Sequence, residues 1–322
     1  MSCTDWTSSF LPKDVPINHR SYAVSCLTED GCLHGPSGVG KTCIAQFTVE
    51  RLRENVVDLN HQYVNCWEDY SRFKTLYTLL EGINKTIDIH RQSTPRDQLL
   101  DRLRDYDGPP YVVILDEVDQ LEDKSLLYDL YRIRGLTMIL IANNEQGVFA
   151  DVDDRINSRL ANATRIHFRQ YHHDELVAIL QDRVRWGLNP DVIDKKKLES
   201  IANNAAGDAR VAIGILRQAA RTANAQQMNE IPDDVIRKVT PEAKSEIKQK
   251  TVDRLTTHQE VLYETITEYG EIPPNELYEE YCNRVGDPKT QRMVRNYLSK
   301  LEHYNLIEAE GNTRGRTYRT VE

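Results

Sequence analysis

The sequence predicts an α/β protein: a parallel sheet with helices on both faces, followed by an all-α lid and a C-terminal winged helix. Three observations predict it. To about residue 170, short apolar runs alternate with amphipathic segments, the pattern of parallel strands joined by crossover helices. From His173 onward the pattern is helical only. Within residues 253–322, helical segments precede two short strand-like runs around a Gly/Arg turn. The expected boundaries are 1–170 for the α/β domain, 171–252 for the lid and a linker helix, and 253–322 for the winged helix.

The elements follow in order. Pro12 and Pro16 mark a loop, and residues 22–27 read as a helical turn. Residues 31–34 are a short candidate strand. Residues 41–53 read as a helix with Ile44, Phe47 and Leu52 on one face. A second strand is expected at 62–66, then amphipathic helices at 71–83 and 94–106. The latter carries Leu99, Leu100 and Leu103 and ends at Gly108-Pro109-Pro110. Residues 111–115 are wholly apolar, as a strand covered on both faces of a parallel sheet must be. A helix is expected at 124–130, and strands at 138–141 and 163–168. Lid helices follow at 174–186, 191–204, 208–225 and 232–239. Thr240 reads as the N-cap, and Pro241 as the first residue, of a further helix running to about Arg254. Helices at 258–269, 274–284 and 289–304 and strands at 306–310 and 316–321 complete the chain.

Composition narrows the class. A length of 322 residues suits two or three domains, and 39% apolar with 28% charged residues is an ordinary globular balance. The longest apolar runs are about five residues, against roughly 18 for a membrane span. The N-terminus has no basic stretch followed by an apolar one. No membrane partner and a cytoplasmic location are therefore expected. The six cysteines form no C-x-x-C pair, and no histidine pair has finger spacing, so reduced thiols rather than a zinc site are expected. A net charge of −9 argues against non-specific nucleic-acid binding, but it averages over a local asymmetry near the C-terminus.

Gly35-Pro36-Ser37-Gly38-Val39-Gly40-Lys41-Thr42 fits G-x-x-x-x-G-K-[ST], a P-loop, and lies between a candidate strand and a helix. The glycines let backbone N–H groups turn toward phosphate oxygens, and the helix N-terminus favours negative charge. Lys41 then reaches the β- and γ-phosphates of ATP, and Thr42 ligates Mg²⁺. Asp116 and Glu117 end the apolar strand, at the ligand edge of such a sheet. Asp116 is expected to hold Mg²⁺ through water, and Glu117 to polarise the attacking water. Asn143 follows the next strand at the same relative place, where an amide orients water or touches the γ-phosphate. Asn144 competes for that role.

In the last domain, residues 289–300 contain Lys289, Arg292, Arg295 and Lys300 and no acid, and Arg314, Arg316 and Arg319 follow. The acids Glu260, Glu264, Glu268, Glu271, Glu276, Glu279 and Glu280 gather in the first two helices and their turns. On the third helix Val294, Tyr297, Leu298 and Leu301 make the core stripe. Gln291, Arg292, Arg295, Asn296 and Ser299 face away from it, a mixture suited to a major groove. Arg314 and Arg316, beside Gly311 and Gly315, suit a wing on phosphate or in the minor groove. The candidate DNA contacts are Lys289, Gln291, Arg292, Arg295, Asn296, Arg314 and Arg316. The plainer alternative is a solvated basic face on a protein-binding winged helix.

The ordered set of P-loop, Asp116-Glu117, Asn143, Ser158-Arg159-Leu160, Phe168-x-x-Tyr171, Gly207-Asp208-Ala209-Arg210 and a winged helix resembles the archaeal Orc1/Cdc6 replication initiators, which are AAA+ ATPases. The resemblance runs from about residue 12 to the end. It implies an ATP-dependent origin-binding protein acting in initiation of DNA replication, with slow hydrolysis as a switch. It further implies Arg210 as the sensor 2 arginine, Arg159 as the box VII arginine facing a neighbouring subunit, and Tyr171 at the nucleotide. Residues 65–82 fall where the family places a DNA-touching insertion. Implied partners are double-stranded origin DNA, like subunits and the replicative helicase. Pro16-Ile17-Asn18-His19-Arg20 resembles the family's adenine-side motif, yet Ser21 stands where an acid is usual, and the spacer to Gly35 is short. An intact phosphate grip beside a reduced adenine pocket is the expectation, in a shortened or divergent paralogue. The rivals are a DNA-binding regulator that loads no helicase and a signalling or defence ATPase whose winged helix binds protein.

Overall fold

A strand whose every side chain but the last is apolar needs cover on both faces. The computed structural model, which describes residues 30–55, 58–87, 89, 94–143, 163–189, 191–311 and 315–321, supplies that cover. Strands β1 (Gly31–His34), β2 (Asn60–Asn65), β3 (Tyr111–Asp116), β4 (Leu136–Ala142) and β5 (Thr164–His167) form a parallel sheet in the order β2-β3-β4-β1-β5. Successive side chains point to opposite faces. Val112 and Ile114 join Leu33, Ile139, Ile141 and Ile166 beneath helix α1 (Lys41–Asn55), which contributes Ile44, Ala45 and Val49. Val113 and Leu115 join Cys32, Val64, Met138 and Leu140 on the other face. Helices α2 (Arg72–Glu81), α3 (Arg96–Arg104) and α4 (Ser125–Tyr131) cover that face.

Pairing extends two strands past their apolar pattern. β2 starts at Asn60, whose N–H donates to Pro110 O at 2.9 Å, and β4 starts at Leu136, in register with Tyr111. β1 is only four residues long, but it is bonded on both sides, to β4 and to β5. Asp30 ties its start to both neighbours. Its carboxylate accepts from Met138 N at 2.7 Å, and its carbonyl accepts from Thr164 N at 3.0 Å.

Helices α5 (His173–Gly187), α6 (Lys195–Ala205), α7 (Ala209–Ala225) and α8 (Asp233–Val252) follow. α7 starts where the Asp208 carboxylate caps the N–H groups of Arg210 and Val211, at 2.7 and 3.2 Å. The expected helix break at Thr240 is corrected: α8 runs through Pro241 without ending. Proline there removes one backbone N–H, but Thr240 Oγ1 donates to Ile236 O at 2.7 Å instead of capping a new helix. Burial of Val239, Thr240 and Ala243 holds the helix together across that point.

The chain divides into two compact units, Met1–Ile213 and Gly214–Glu322. Within the second, helix α9 (Thr257–Tyr269), strand β6 (Glu271–Ile272), helices α10 (Pro274–Arg284) and α11 (Gln291–His303) and strands β7 (Ile307–Glu310) and β8 (Thr317–Thr320) follow in winged-helix order. The sheet is three-stranded, β6-β8-β7, rather than the expected hairpin. β6 has two residues, too few to show a period, and pairing of Ile272 with Tyr318 defines it. Leu262, Ile266, Leu277, Val294, Leu298 and Leu301 fill the core.

One buried hydroxyl fixes the entry to α11. Tyr281 Oη accepts from Lys289 N at 3.0 Å and lies 2.8 Å from His258 Nδ1. The phenol donates to Nδ1 or accepts from Nδ1–H according to the imidazole tautomer. Burial first, and then the charge of Lys289, hold the His258 pKa below its ordinary value. Thr290 then caps α11 by accepting from Met293 N. Among the described residues, no helix is long and apolar enough to cross a membrane.

Candidate nucleotide site

The sheet order sets β4 between β1 and β3, so the C-terminal ends of all three lie side by side. Ligands of open parallel sheets bind at that edge. The P-loop residues Gly35, Pro36, Ser37, Gly38, Val39 and Gly40 follow β1, and Lys41 and Thr42 open α1. Two of its glycines are required by shape. Gly35 has φ +145°, and a Cβ on it would stand 1.9 Å from Phe168 O. Gly38 has φ +79°, and a Cβ there would stand 2.1 Å from the Asp208 carboxylate. Tyr171 reaches the same loop, its hydroxyl 3.0 Å from where a Gly40 Cβ would be.

Lys41 is 7% exposed, and its ammonium donates to Gly35 O, Pro36 O and Asn143 Oδ1, each at 2.7 Å. The P-loop lysine and the amide at the end of β4 thus meet. Burial lowers the Lys41 pKa to about 8, with Asp116 opposing the shift and Arg210 adding to it. Phosphate beside the ammonium favours its charged form. Above about pH 8, ATP binding therefore takes up a proton, and affinity is expected to fall by up to about ten-fold per pH unit. ATP titrations between pH 7 and 9.5 check this; an affinity flat across that range contradicts it.

Asp116, at the end of β3, has both carboxylate oxygens engaged. Oδ2 accepts from Thr42 Oγ1 at 2.7 Å and from Tyr63 Oη at 3.0 Å, and Oδ1 accepts from Glu117 N at 3.0 Å. Burial, and then Asp116, push the Tyr63 phenol pKa far above its ordinary value, so it stays a donor. Glu117 sits at φ 55°, ψ 42°, in the left-handed region, a strain of about 1–3 kcal/mol for a non-glycine residue. The backbone there leaves the strand sharply for a short 3₁₀ turn, Val118–Gln120. A hydroxyl beside a carboxylate is a hard oxygen donor pair. Among the described residues no cluster of three or more His, Cys, Asp or Glu could hold a metal. The pair suits a hard divalent cation that shares its shell with phosphate and water rather than an all-protein cage.

Arg210, in the first turn of α7, donates from Nη2 to Ser37 Oγ, and its guanidinium lies 3.7 Å from Asp208. Ala209 N donates to Gly38 O at 3.2 Å. The lid helix therefore meets the phosphate loop by backbone and side chain together. Arg159, the alternative Asn144, the adenine-side motif of residues 16–20 and Arg314 lie outside the described residues.

On α11, Gln291, Arg292, Arg295 and Asn296 are exposed on the face opposite buried Val294, Leu298 and Leu301. The other two described basic candidates are in ion pairs: Lys289 with Asp287 at 2.6 Å, and Arg316 with Glu302 at 2.9 Å. Arg316 also lies 5.1 Å over the Tyr318 ring. The sequence reading missed Tyr63. Its one signal was an aromatic in β2 two residues before the strand's end, and that carries weight only once β2 is known to pair with β3.

Two family matches span the regions just described. An AAA domain matches residues 30–146, and a Cdc6 AAA+ ATPase-type lid domain matches residues 177–240. The ORC1-type DNA replication protein 1 of Halobacterium salinarum is 63% identical over 297 residues, 89% of this chain and 96% of that protein. The chain belongs to the ORC1-type DNA replication proteins. ORC1-type DNA replication protein 9 of the same organism is 47% identical over 325 residues, 98% of this chain and 92% of that protein. The Aeropyrum pernix ORC1 protein, solved in complex with DNA, has the same fold, with a TM-score of 0.73 at 23% identity over 98% of this chain and 91% of that one. As an ORC1-type protein the chain is an AAA+ ATPase, binds nucleotide and acts in initiation of DNA replication.

Proposed function

We propose that this ORC1-type ATPase is an origin-binding switch in which nucleotide state governs how the winged helix engages double-stranded DNA. The observation that carries it is the join between lid helix and phosphate loop, made by Arg210 on Ser37 and Ala209 N on Gly38 O. An event at the phosphates reaches α7 through those contacts. In this reading the backbone N–H groups of residues 35–42 and the Lys41 ammonium grip the phosphates, with Tyr171 alongside. Thr42 and Asp116 would hold Mg²⁺, which would supply positive charge against the charge that develops on the phosphates. Glu117 polarises the attacking water, Asn143 orients it, and Arg210 adds charge from the lid. Arg159 faces the nucleotide of a like subunit. Hydrolysis is slow and resets the switch.

The output is DNA contact by Lys289, Gln291, Arg292, Arg295, Asn296, Arg314 and Arg316, with residues 65–82 as a second contact. In this assignment residues 1–170 bind nucleotide, 171–252 are lid and linker, and 253–322 bind DNA; the replicative helicase is a further partner. Arg210→Ala tests the switch. Anisotropy with a labelled origin duplex is expected to give different affinities with ATP and with ADP for the wild type, and equal affinities for the variant. An ATP–ADP difference that survives in Arg210→Ala overturns the coupling. Absence of duplex binding in either state overturns the DNA reading.

A further inference from the structure

We infer that Tyr63 is a positioning residue of the nucleotide site, its phenol holding the Asp116 carboxylate in the orientation from which it serves the divalent cation. The inference rests on the reading of Thr42 and Asp116 as the Mg²⁺ holders.

Asp116 is 7% exposed, so its charge depends on protein donors rather than bulk water. Thr42 Oγ1 has one proton, and at 2.7 Å that proton goes to Asp116 Oδ2, leaving the oxygen's lone pairs for a cation. Glu117 N holds Oδ1 at 3.0 Å. Tyr63 Oη is the second donor on Oδ2, at 3.0 Å. With both hydroxyls in place, rotation of the carboxylate about its terminal torsion breaks a bond whichever way it turns. Remove the phenol and Oδ2 keeps one neutral donor. The Thr42 hydroxyl alone then opposes rotation of that oxygen about the Asp116 terminal torsion. A carboxylate that turns about that torsion leaves Thr42 and the cation position together.

The fold explains why residue 63 can do this. β2 and β3 are parallel, with Tyr63 opposite Ile114 and Asn65 opposite Asp116. Tyr63 shares a face with Ile114 and Asp116 and packs on the core beneath α1. Its hydroxyl must advance two residues along the neighbouring strand, about 6.6 Å. A tyrosine leaning along the strand spans that distance; a serine or threonine at the same place does not.

The test uses the full chain and a fluorescent N-methylanthraniloyl-ATP, titrated in EDTA and at stepped Mg²⁺ concentrations. Tyr63→Phe keeps the ring and its packing and deletes only the donor; Asp116→Asn is the reference for a lost cation holder. In EDTA, Tyr63→Phe is expected to match wild type. The Mg²⁺ concentration giving half of the affinity gain is expected to rise by about ten-fold, the scale of a hydrogen bond to a charged acceptor. An unchanged Mg²⁺ midpoint in Tyr63→Phe, alongside a shifted one in Asp116→Asn, overturns the positioning role and leaves the Mg²⁺ site standing. Equal losses in EDTA and in Mg²⁺ also overturn it, because they mark a structural role only. A wild type indifferent to Mg²⁺ overturns the Mg²⁺ reading itself, and the inference with it.

Discussion

Lys41→Ala is expected to abolish ATP binding, with affinity falling by about 100-fold to 10,000-fold. In the proposed site the lysine supplies charge-assisted hydrogen bonds to the β- and γ-phosphates, each of about 1.5–3 kcal/mol, or roughly 3–6 kcal/mol for two. Nothing near it can substitute. Arg210 is engaged with Ser37 and Asp208, and Asp116 and Glu117 carry the wrong sign. The glycine conformations of the loop do not depend on the side chain, since Gly35 is set by its approach to Phe168 and Gly38 by Asp208. Alanine leaves Gly35 O, Pro36 O and Asn143 Oδ1 without their ammonium donor, but it also removes a buried ammonium whose desolvation opposes folding. The variant is therefore expected to fold, with its melting temperature close to wild type in the absence of nucleotide. Calorimetric titration with ATP measures the loss, and a melting curve read with and without ATP gives an independent check. Undiminished ATP affinity in a folded Lys41→Ala protein sinks the assignment of the phosphate site.

The second large effect is expected on DNA. Arg292→Ala combined with Arg295→Ala is expected to weaken duplex binding by about 10- to 100-fold at moderate salt and to reduce the slope of log affinity against log salt by about 2. Both side chains are exposed on the face of α11 opposite Val294, Leu298 and Leu301, so the core is untouched. Alanine favours helix at least as well as arginine, so the winged-helix fold is retained. The whole chain carries a net charge of −9 and is repelled by phosphate away from this face, which makes a local loss of positive charge count heavily. Anisotropy across a salt series separates the outcomes. A fall in slope without loss of sequence preference assigns the arginines to phosphate. Loss of preference assigns them to base edges. An unchanged affinity and slope turn this face toward a protein partner instead.

The P-loop was legible because its eight residues are contiguous and bring their own context, a strand before and a helix after. Asp116 was legible because β3 is covered on both faces and reads as an unbroken apolar run, so the polar residue that ends it stands out. The exposed face of α11 was legible because a helix sorts its own side chains by a local period. The sequence was a poorer guide wherever pairing decides. β2 reads Asn-His-Gln-Tyr-Val-Asn, with little to mark its start, and the break expected at Thr240 ignored the packing that carries α8 through Pro241.

What the sequence determined by itself, then, is the chemistry that sits within one stretch of chain: the phosphate loop, the acidic strand end, the basic helix and the family they belong to. Only the tertiary structure decided which of these groups meet. It set β4 between β1 and β3, brought Asn143 to Lys41, laid Arg210 on Ser37 and put the Tyr63 phenol on Asp116 across 53 residues of sequence. The physical reason is that neighbours in a parallel sheet are not neighbours in the chain. Which strands pair is fixed by how both faces are covered at once, a property that no local pattern records.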